Sequence, residues 1–298
     1  MKVEVTALTP RPPLQRDLLA WWAVNRRDLP WRRTRDPWAV LVAELMLQQT
    51  QVPRVVPRYE AFLRRFPTVA ACAAAPLAEV VRAWAGLGYN RRAVNLHRCA
   101  RAVVDRHGGR LPHDIESLLA LPGIGPYTAR AVLVFAHGHD IGLIDTNAGR
   151  FISRALAGRA VTTEEAQRLA DAATPAGRGW EWGQAVFDLG ALVCTRHAPA
   201  CDRCPIAAHC AWVMAGWPDP DPVTGSAGIS GRQSTFAGSD RQRRGRLVDA
   251  LRRAPVTIDE LPVVVGWPDD PHRVERVAAG LIADGIAVRH DNHLRLAD

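Results

Sequence analysis

Two carboxylates in this sequence stand in apolar surroundings. Glu44 interrupts the run Ala39 to Leu47, which is otherwise wholly apolar. Its carboxyl therefore belongs to a helix buried around most of its circumference, where desolvation favours the protonated acid. An acid held neutral is what general-acid catalysis requires; a glutamate capping a neighbouring backbone is the structural alternative. Asp145 follows the short apolar segment Ile141 to Ile144, which carries it towards the interior. A third group is thiol-rich: Cys194, Cys201, Cys204 and Cys210 follow the pattern C-x6-C-x2-C-x5-C. In a chain that reads as cytosolic, such close spacing indicates a metal centre rather than disulfides. Structural zinc and an iron-sulfur cluster both accept four thiolates, so the spacing leaves these two open.

The elements around these groups are helical. Asp114 caps a run Ile115, Leu118, Leu119; Gly123 and Gly125 bend the chain; Tyr127 opens a second run, Ala129, Val132, Leu133, Phe135, at helical spacing. This is a helix-hairpin-helix, whose unpaired backbone N–H groups suit a phosphate; an ordinary helical corner has the same outline. A carboxylate such as Asp145 delivered beside a phosphate grip points to chemistry on nucleic acid. Asp36 and Pro37 start the helix that reads WAVLVAELMLQQTQV and carries Glu44. Gln48, Gln49 and Thr50 follow a turn later as neutral donors and acceptors, able to read a base edge or wedge into a stack. Gly86 and Gly88 place Tyr89 on a bend beside Arg91 and Arg92, where its ring either stacks a base or packs in the core. Tyr59, Phe62, Leu63 and Phe66 form a core stripe, and Cys72 and Cys99 read as buried small hydrophobes.

The chain of 298 residues is 48% hydrophobic, enough for a sizeable core and two or three domains. No apolar run reaches the length of a membrane span and no signal-peptide pattern opens the sequence, which gives a cytoplasmic expectation. A net charge of +8 and a pI of about 9.8 favour a polyanionic partner. Lys2 is the sole lysine, so amine nucleophiles are almost absent. From Ala215 the text turns to Pro, Gly, Ser and Asp, a linker over 215–239. Beyond it, an arginine-rich helix over 241–253, a Thr257/Glu260 capping box, a helix over 272–284 and a short hairpin describe a winged-helix-like unit over 240–298.

Taken together and in order, LPWRR, ELMLQQTQV, GLGY, LPGIGPYTA, the Asp145 segment, FDLGALVC and the four-cysteine pattern resemble the adenine DNA glycosylases of the MutY type, in the superfamily that includes endonuclease III. The resemblance spans roughly residues 20–212. It implies an all-α fold: a six-helix barrel with the helix-hairpin-helix over 31–141, and a cluster domain over 1–30 and 142–214, with DNA along a cleft between them. It also implies a [4Fe-4S] cluster on Cys194, Cys201, Cys204 and Cys210. The implied partner of this monomer is double-stranded DNA bearing adenine opposite 8-oxoguanine or guanine.

Residue by residue, Glu44 matches the acid that protonates the departing adenine, and Asp145 the carboxylate that stabilises the cationic sugar. Tyr127 stands where endonuclease III keeps its catalytic lysine, which implies a monofunctional glycosylase that uses water. Tyr89, Gln48 and Gln49 match residues that intercalate at the mispair; Arg32 and Gln184 match residues lining the adenine pocket, and Asn147 the asparagine beside the aspartate. Gly123 and Gly125 match the DNA-backbone grip. Two residues depart from the pattern: Thr146 replaces a glycine, and Asn90 replaces a second aromatic after Tyr89. Nothing after the linker resembles the Nudix-like domain that ends many members. A thymine or uracil mismatch glycosylase, and a non-enzymatic iron-sulfur regulator that binds DNA, are the alternative classes.

Overall fold

The computed structural model describes residues 11–226 and 235–298. Lys2 and residues 227–234 of the linker lie outside the described residues. Along the chain run α1 (Pro12–Asn25), α2 (Pro37–Leu47), α3 (Val52–Arg65), α4 (Val69–Ala74), α5 (Leu77–Ala83), α6 (Arg91–His107), α7 (Ile115–Leu119) and α8 (Pro126–Phe135). After these come α9 (Thr146–Phe151), a π-helical turn Ile152–Ala157, α10 (Thr163–Ala173), α11 (Gly179–Leu192), α12 (Ala211–Met214), α13 (Asp240–Leu251), α14 (Leu261–Val265) and α15 (Pro271–Ala283). Three short strands, β1 (Val256–Thr257), β2 (Ala287–His290) and β3 (His293–Leu296), pair antiparallel in the order β1-β3-β2. No helix among the described residues is long and apolar enough to cross a membrane.

The chain divides into two compact units, each made of two separated stretches: Met1–Pro37 with Pro126–Arg232, and Trp38–Gly125 with Gln233–Asp298. In the first, Leu14, Leu18 and Trp22 recur every four residues on α1 and bury against Phe151, Trp182 and Leu189. Trp22 meets Trp180 edge-on, with ring centroids 5.8 Å apart. Helix α9 approaches α11 closely because Gly190 has no side chain. A Cβ there would lie 2.6 Å from the Asn147 Cβ.

In the second unit, α2 is buried from Trp38 to Met46, and the Trp38 indole donates to the Phe66 carbonyl (2.9 Å). Phe62 packs edge-on against the fully buried Trp84 at 5.8 Å. Asp114 accepts from the Ser117 N–H (2.8 Å), the expected cap of α7. Gly123 takes φ +78°, and a Cβ on it would meet the Asn95 side chain at 2.5 Å, so the bend and the close approach both require glycine.

The helix expected to run through QQTQV stops at Leu47 instead, and α3 begins afresh at Val52. Pro53 has no N–H to donate and suits only the first turn of a helix, so it starts α3 and cannot sit inside a continuing α2, and Gln49 turns left-handed at φ +54°. The carbonyls freed at the end of α2 are taken by Arg92, as described below. After the linker, Ser239 caps α13, Thr257 and Glu260 form a reciprocal capping box before α14, and β2 and β3 close a tight hairpin.

The contact between α9 and α11 is open to a direct test. Gly190→Ala forces the two helices apart and lowers unfolding free energy by roughly 1–3 kcal/mol, as overpacking does. A shift of the urea midpoint at constant slope checks it; an unchanged midpoint removes the close approach as a constraint.

Candidate functional site

In the first unit, the site is built at the start of α9. Asp145 is the N-cap of that helix: one carboxylate oxygen accepts from the Asn147 and Ala148 N–H groups (2.8 and 2.7 Å), the other from the Asn147 amide (2.9 Å). Asn147 in turn accepts from Arg150 at 2.6 Å. The same guanidinium donates to the Cys194 carbonyl (2.7 Å), the Thr146 carbonyl (2.8 Å) and the Gly190 carbonyl (2.6 Å). A continuous hydrogen-bonded path thus joins Asp145 to the cysteine loop. Burial pushes the Asp145 carboxyl above the usual carboxylate range, opposed by the Ala148 and Asn147 hydrogen bonds and by the charge of Arg150. Thr146, the departure from the family pattern, is simply the exposed first residue of the capped helix.

Arg32 and Gln184 occupy one region of this unit. Arg32 forms a bidentate pair with Asp188 (2.7 and 2.9 Å), one turn beyond Gln184 on α11. Asp188 has no exposed surface and also accepts from the Trp22 indole and from Arg27. Its cation partners hold its carboxyl below the usual range even though burial acts the other way. The Nε of Arg32 is buried with no hydrogen-bond partner, a donor left over after Asp188 is satisfied. Tyr127 lies on α8 with its ring 6.5 Å from that of Phe187. Asp188 was hidden inside the FDLGALVC motif; a lone acid in an apolar run, the signal that exposed Glu44, marks it equally well.

Cys194, Cys201, Cys204 and Cys210 line a single apolar chamber with Leu189, Ile206 and Trp212. None is in a disulfide. Arg154, buried on the π-helical turn, places a guanidinium nitrogen 3.4 Å from the Cys194 sulfur and holds the carbonyls of Thr195 and Arg196 and the Asp221 carboxylate. Burial pushes the Cys204 thiol up to about 12, so thiolates here need a positive centre to form. Among the described residues, no three Cys, His, Asp or Glu side chains are placed as ligands of one ion. Four thiols on one apolar chamber are a donor set that fits a thiolate-held metal group, and tetrahedral zinc and an iron-sulfur cluster both draw on four cysteines.

In the second unit, Glu44 retains only 6% of its surface, within a helix otherwise buried on all sides. Gln48, Gln49 and Tyr89 come together on the wall of one cavity. Gln49 and Tyr89 are both left-handed (φ +54° and +46°), a conformation that costs non-glycine residues free energy. The clamp that holds them is Arg92, a buried residue absent from the sequence expectations as a site residue. Its guanidinium donates to the carbonyls of Leu45, Met46 and Gln48 on one side (2.7, 2.9 and 2.5 Å). On the other it reaches Thr50 Oγ1 (3.0 Å) and the Leu87 and Gly88 carbonyls (3.3 and 3.1 Å). No acid compensates it in these contacts; backbone dipoles at the end of α2 do, and burial pulls its pKa down to about 10. Gly123 and Gly125 lie in the bend after α7, where Ile124 donates back to the Leu121 carbonyl.

Comparison with known proteins adds a family match and likenesses to four individual proteins. The family described as HhH-GPD superfamily base excision DNA repair protein matches residues 42–175. The adenine DNA glycosylase of Mycolicibacterium smegmatis is 43% identical over 276 residues, 91% of this chain and 91% of that protein. The human adenine DNA glycosylase is 39% identical over 65% of this chain and 38% of its own length. Among solved structures, a thermostable thymine-DNA glycosylase aligns with TM-score 0.63 and 28% identity over 67% of this chain and 95% of its own. Endonuclease III trapped on DNA aligns with TM-score 0.59 and 21% identity over 69% of this chain and 96% of its own, a likeness of fold.

The Asp145 geometry sets a pH dependence. Asn147→Ala removes one of the bonds that favour the charged carboxylate, so the Asp145 pKa rises further, and a step that needs the charge fails at higher pH than in the parent. The acid limb of the single-turnover rate of glycosidic cleavage therefore moves towards neutrality. An acid limb that stays in place severs Asn147 from the Asp145 proton.

Proposed function

The chain belongs to the adenine DNA glycosylase family, within the HhH-GPD superfamily of base excision DNA repair proteins, and from that premise we infer how its residues divide the reaction. It is an enzyme of base excision repair that acts on adenine in DNA. The substrate we propose is adenine mispaired with 8-oxoguanine or guanine, extruded from the stack at a cost of a few kcal/mol. Hydrolysis of the N-glycosidic bond passes through an oxocarbenium-like state, which calls for a proton on the leaving base and negative charge near the sugar. Glu44 supplies the proton and Asp145 the charge. The observation that carries this reading is the contrast between their settings: Glu44 is enclosed by an apolar helix, whereas both oxygens of Asp145 accept hydrogen bonds that favour a carboxylate.

Arg32 and Gln184 line the adenine pocket, where the unused Nε–H of Arg32 is available to a base acceptor. Asn147 orients Asp145, and Gln48, Gln49 and Tyr89 fill the place the adenine leaves. Gly123 and Gly125 present backbone donors to a phosphate. Cys194, Cys201, Cys204 and Cys210 would hold a [4Fe-4S] cluster, whose contribution when bound is structural, fixing the loop that carries Arg196, His197 and Arg203 beside the DNA. In domain terms, the segment 31–141 is the barrel with its helix-hairpin-helix, 1–30 with 142–214 the cluster domain, 215–239 the linker and 240–298 a winged-helix-like unit. The protein works as a monomer.

Strand cleavage after base loss needs an amine that attacks the sugar C1′, and the Tyr127 hydroxyl cannot form an iminium. Water is therefore the final nucleophile and the product is an intact abasic strand.

One experiment tests both halves. On an A:8-oxoguanine duplex the parent releases free adenine, strand breaks appear only after hot alkali, and borohydride traps almost no protein on DNA. Release of thymine or uracil from G:T or G:U duplexes in place of adenine would move the enzyme to the other class, and efficient trapping would make it a lyase.

Glu44→Gln should keep mispair binding but lower excision on the order of a hundred- to ten-thousand-fold. Excision within a few-fold of the parent would remove Glu44 from the mechanism.

A further inference from the structure

The segment after the cysteines, a linker by composition, is bonded to the first unit over its described residues up to Ser226. The Trp212 indole donates to the Pro218 carbonyl (3.0 Å), Val223 is buried, and Ser226 Oγ accepts from the Val161 N–H (3.3 Å). This stretch contains no helix or strand, so individual contacts hold it.

One of those contacts is an ion pair beside the thiol chamber. Asp221 takes the Arg154 guanidinium side-on, one carboxylate oxygen accepting from Nε (3.0 Å) and the other from a terminal nitrogen (2.5 Å). The remaining N–H groups reach the cysteine loop: the Cys194 sulfur at 3.4 Å, and the Thr195 and Arg196 carbonyls at 2.7 and 3.0 Å. Every donor of the guanidinium is thereby used. The Arg154 side chain is only 1% exposed and that of Asp221 29%. Burial opposes the Arg154 charge, yet Asp221 and Cys194 outweigh it and raise its pKa above the ordinary arginine value.

A side-on carboxylate fixes the plane of the guanidinium, and that plane decides whether the opposite edge meets the Cys194 sulfur. Charge acts in the same sense. Four thiolates outweigh the positive charge of the metal group they hold, so a cation one hydrogen bond away favours the loaded site. Asp221 lies beyond the stretch that carries the family resemblance, roughly residues 20–212, and no motif of that resemblance contains it.

We propose that Asp221 is a positioning residue for the metal group of the four cysteines: it clasps Arg154 so that the guanidinium keeps Cys194 and its loop on the metal. The proposal rests on the reading of the cysteines as a metal centre, and it gives the segment after them a part in metal retention. Asp221 acts through Arg154; its other bond is to the Val223 N–H (3.0 Å).

The test is the rate at which the full-length, metal-loaded protein yields its metal to pyridylazoresorcinol, a chelator that colours with iron and with zinc; no turnover is involved. Asp221→Asn keeps the side-chain shape but turns an amide N–H towards a guanidinium N–H, so the fork opens. Release should be roughly tenfold faster than from the parent. Arg154→Lys keeps the charge without the fork and should release as fast as Asp221→Asn. Because both act through one contact, the double variant should exceed either single by no more than about twofold. Val223→Ala thins the packing of the same segment and leaves the pair intact, so its release should stay within about twofold of the parent. If Arg154→Lys fails to fold, Asp221→Asn against Val223→Ala decides, since Asp221 is partly exposed. Parent-like release from Asp221→Asn overturns the proposal. So do additive losses in the double variant, and so does release from Val223→Ala as fast as from Asp221→Asn, which would assign retention to packing. Parent protein that binds neither iron nor zinc sinks the metal-centre reading itself, a result seen before any variant is compared.

Discussion

The first unit of this molecule depends on how one half-buried carboxylate is satisfied. Asp145 serves as the cap of α9, and against the burial that raises its pKa three hydrogen bonds from residues two and three positions along the chain favour the charged form. Since the charge belongs to a helix cap, its position is that of α9, and α9 is placed by Arg150 and by the side-chain-free surface of Gly190. Arg150 also holds the Cys194 carbonyl, so the cysteine loop and the cap share one support. Disturbing the thiol chamber would therefore reach Asp145 through the Arg150 guanidinium and the Asn147 side chain, with no substitution at the carboxylate itself.

Much of this was legible in the sequence because isolated polar residues in apolar runs are conspicuous. Glu44 in its helix, the close-set cysteines, the capped turn before Gly123 and the glycine bend at Tyr89 all appear where pattern and turn chemistry put them. The residues that went unread are those whose partners are distant in sequence. Asp188 is paired with Arg32 across 156 residues, and Arg92 clamps carbonyls more than forty positions away. Helical periodicity reports the burial of a side chain but not the identity of what it meets, and an arginine reads as solvated until its acceptors are known. The same blindness extended α2 through QQTQV: composition there is compatible with helix, and only the tertiary clamp at its end, with Pro53 beyond it, ends the helix at Leu47.

The arginine content has a second meaning. A net charge of +8 suits a polyanion, yet Arg92, Arg150 and Arg154 spend their guanidinium groups inside the protein, on backbone carbonyls, a neighbouring side chain or the cysteine loop. A planar fork with five donors can gather several carbonyls at once, which a lysine ammonium cannot do in the same geometry. Part of the basic character is thus structural, and the DNA-facing charge is smaller than the total suggests.

The division of each unit between two stretches of chain shapes how the protein is made. The apolar face of α1 finds its partners only when α11 has been synthesised; Trp22 and the Asp188 carboxylate it donates to are 166 residues apart. At about 5–20 residues per second, the ribosome leaves that face uncovered for on the order of ten to thirty seconds. Leu14, Leu18 and Trp22 are then an exposed stripe on a nascent chain, available to any holdase that recognises such surfaces. The early helices of the second unit, α2 to α7, emerge in one continuous stretch in the meantime and can collapse together. The order of synthesis therefore favours a chain in which the interrupted unit completes its core after the insert has already begun to fold.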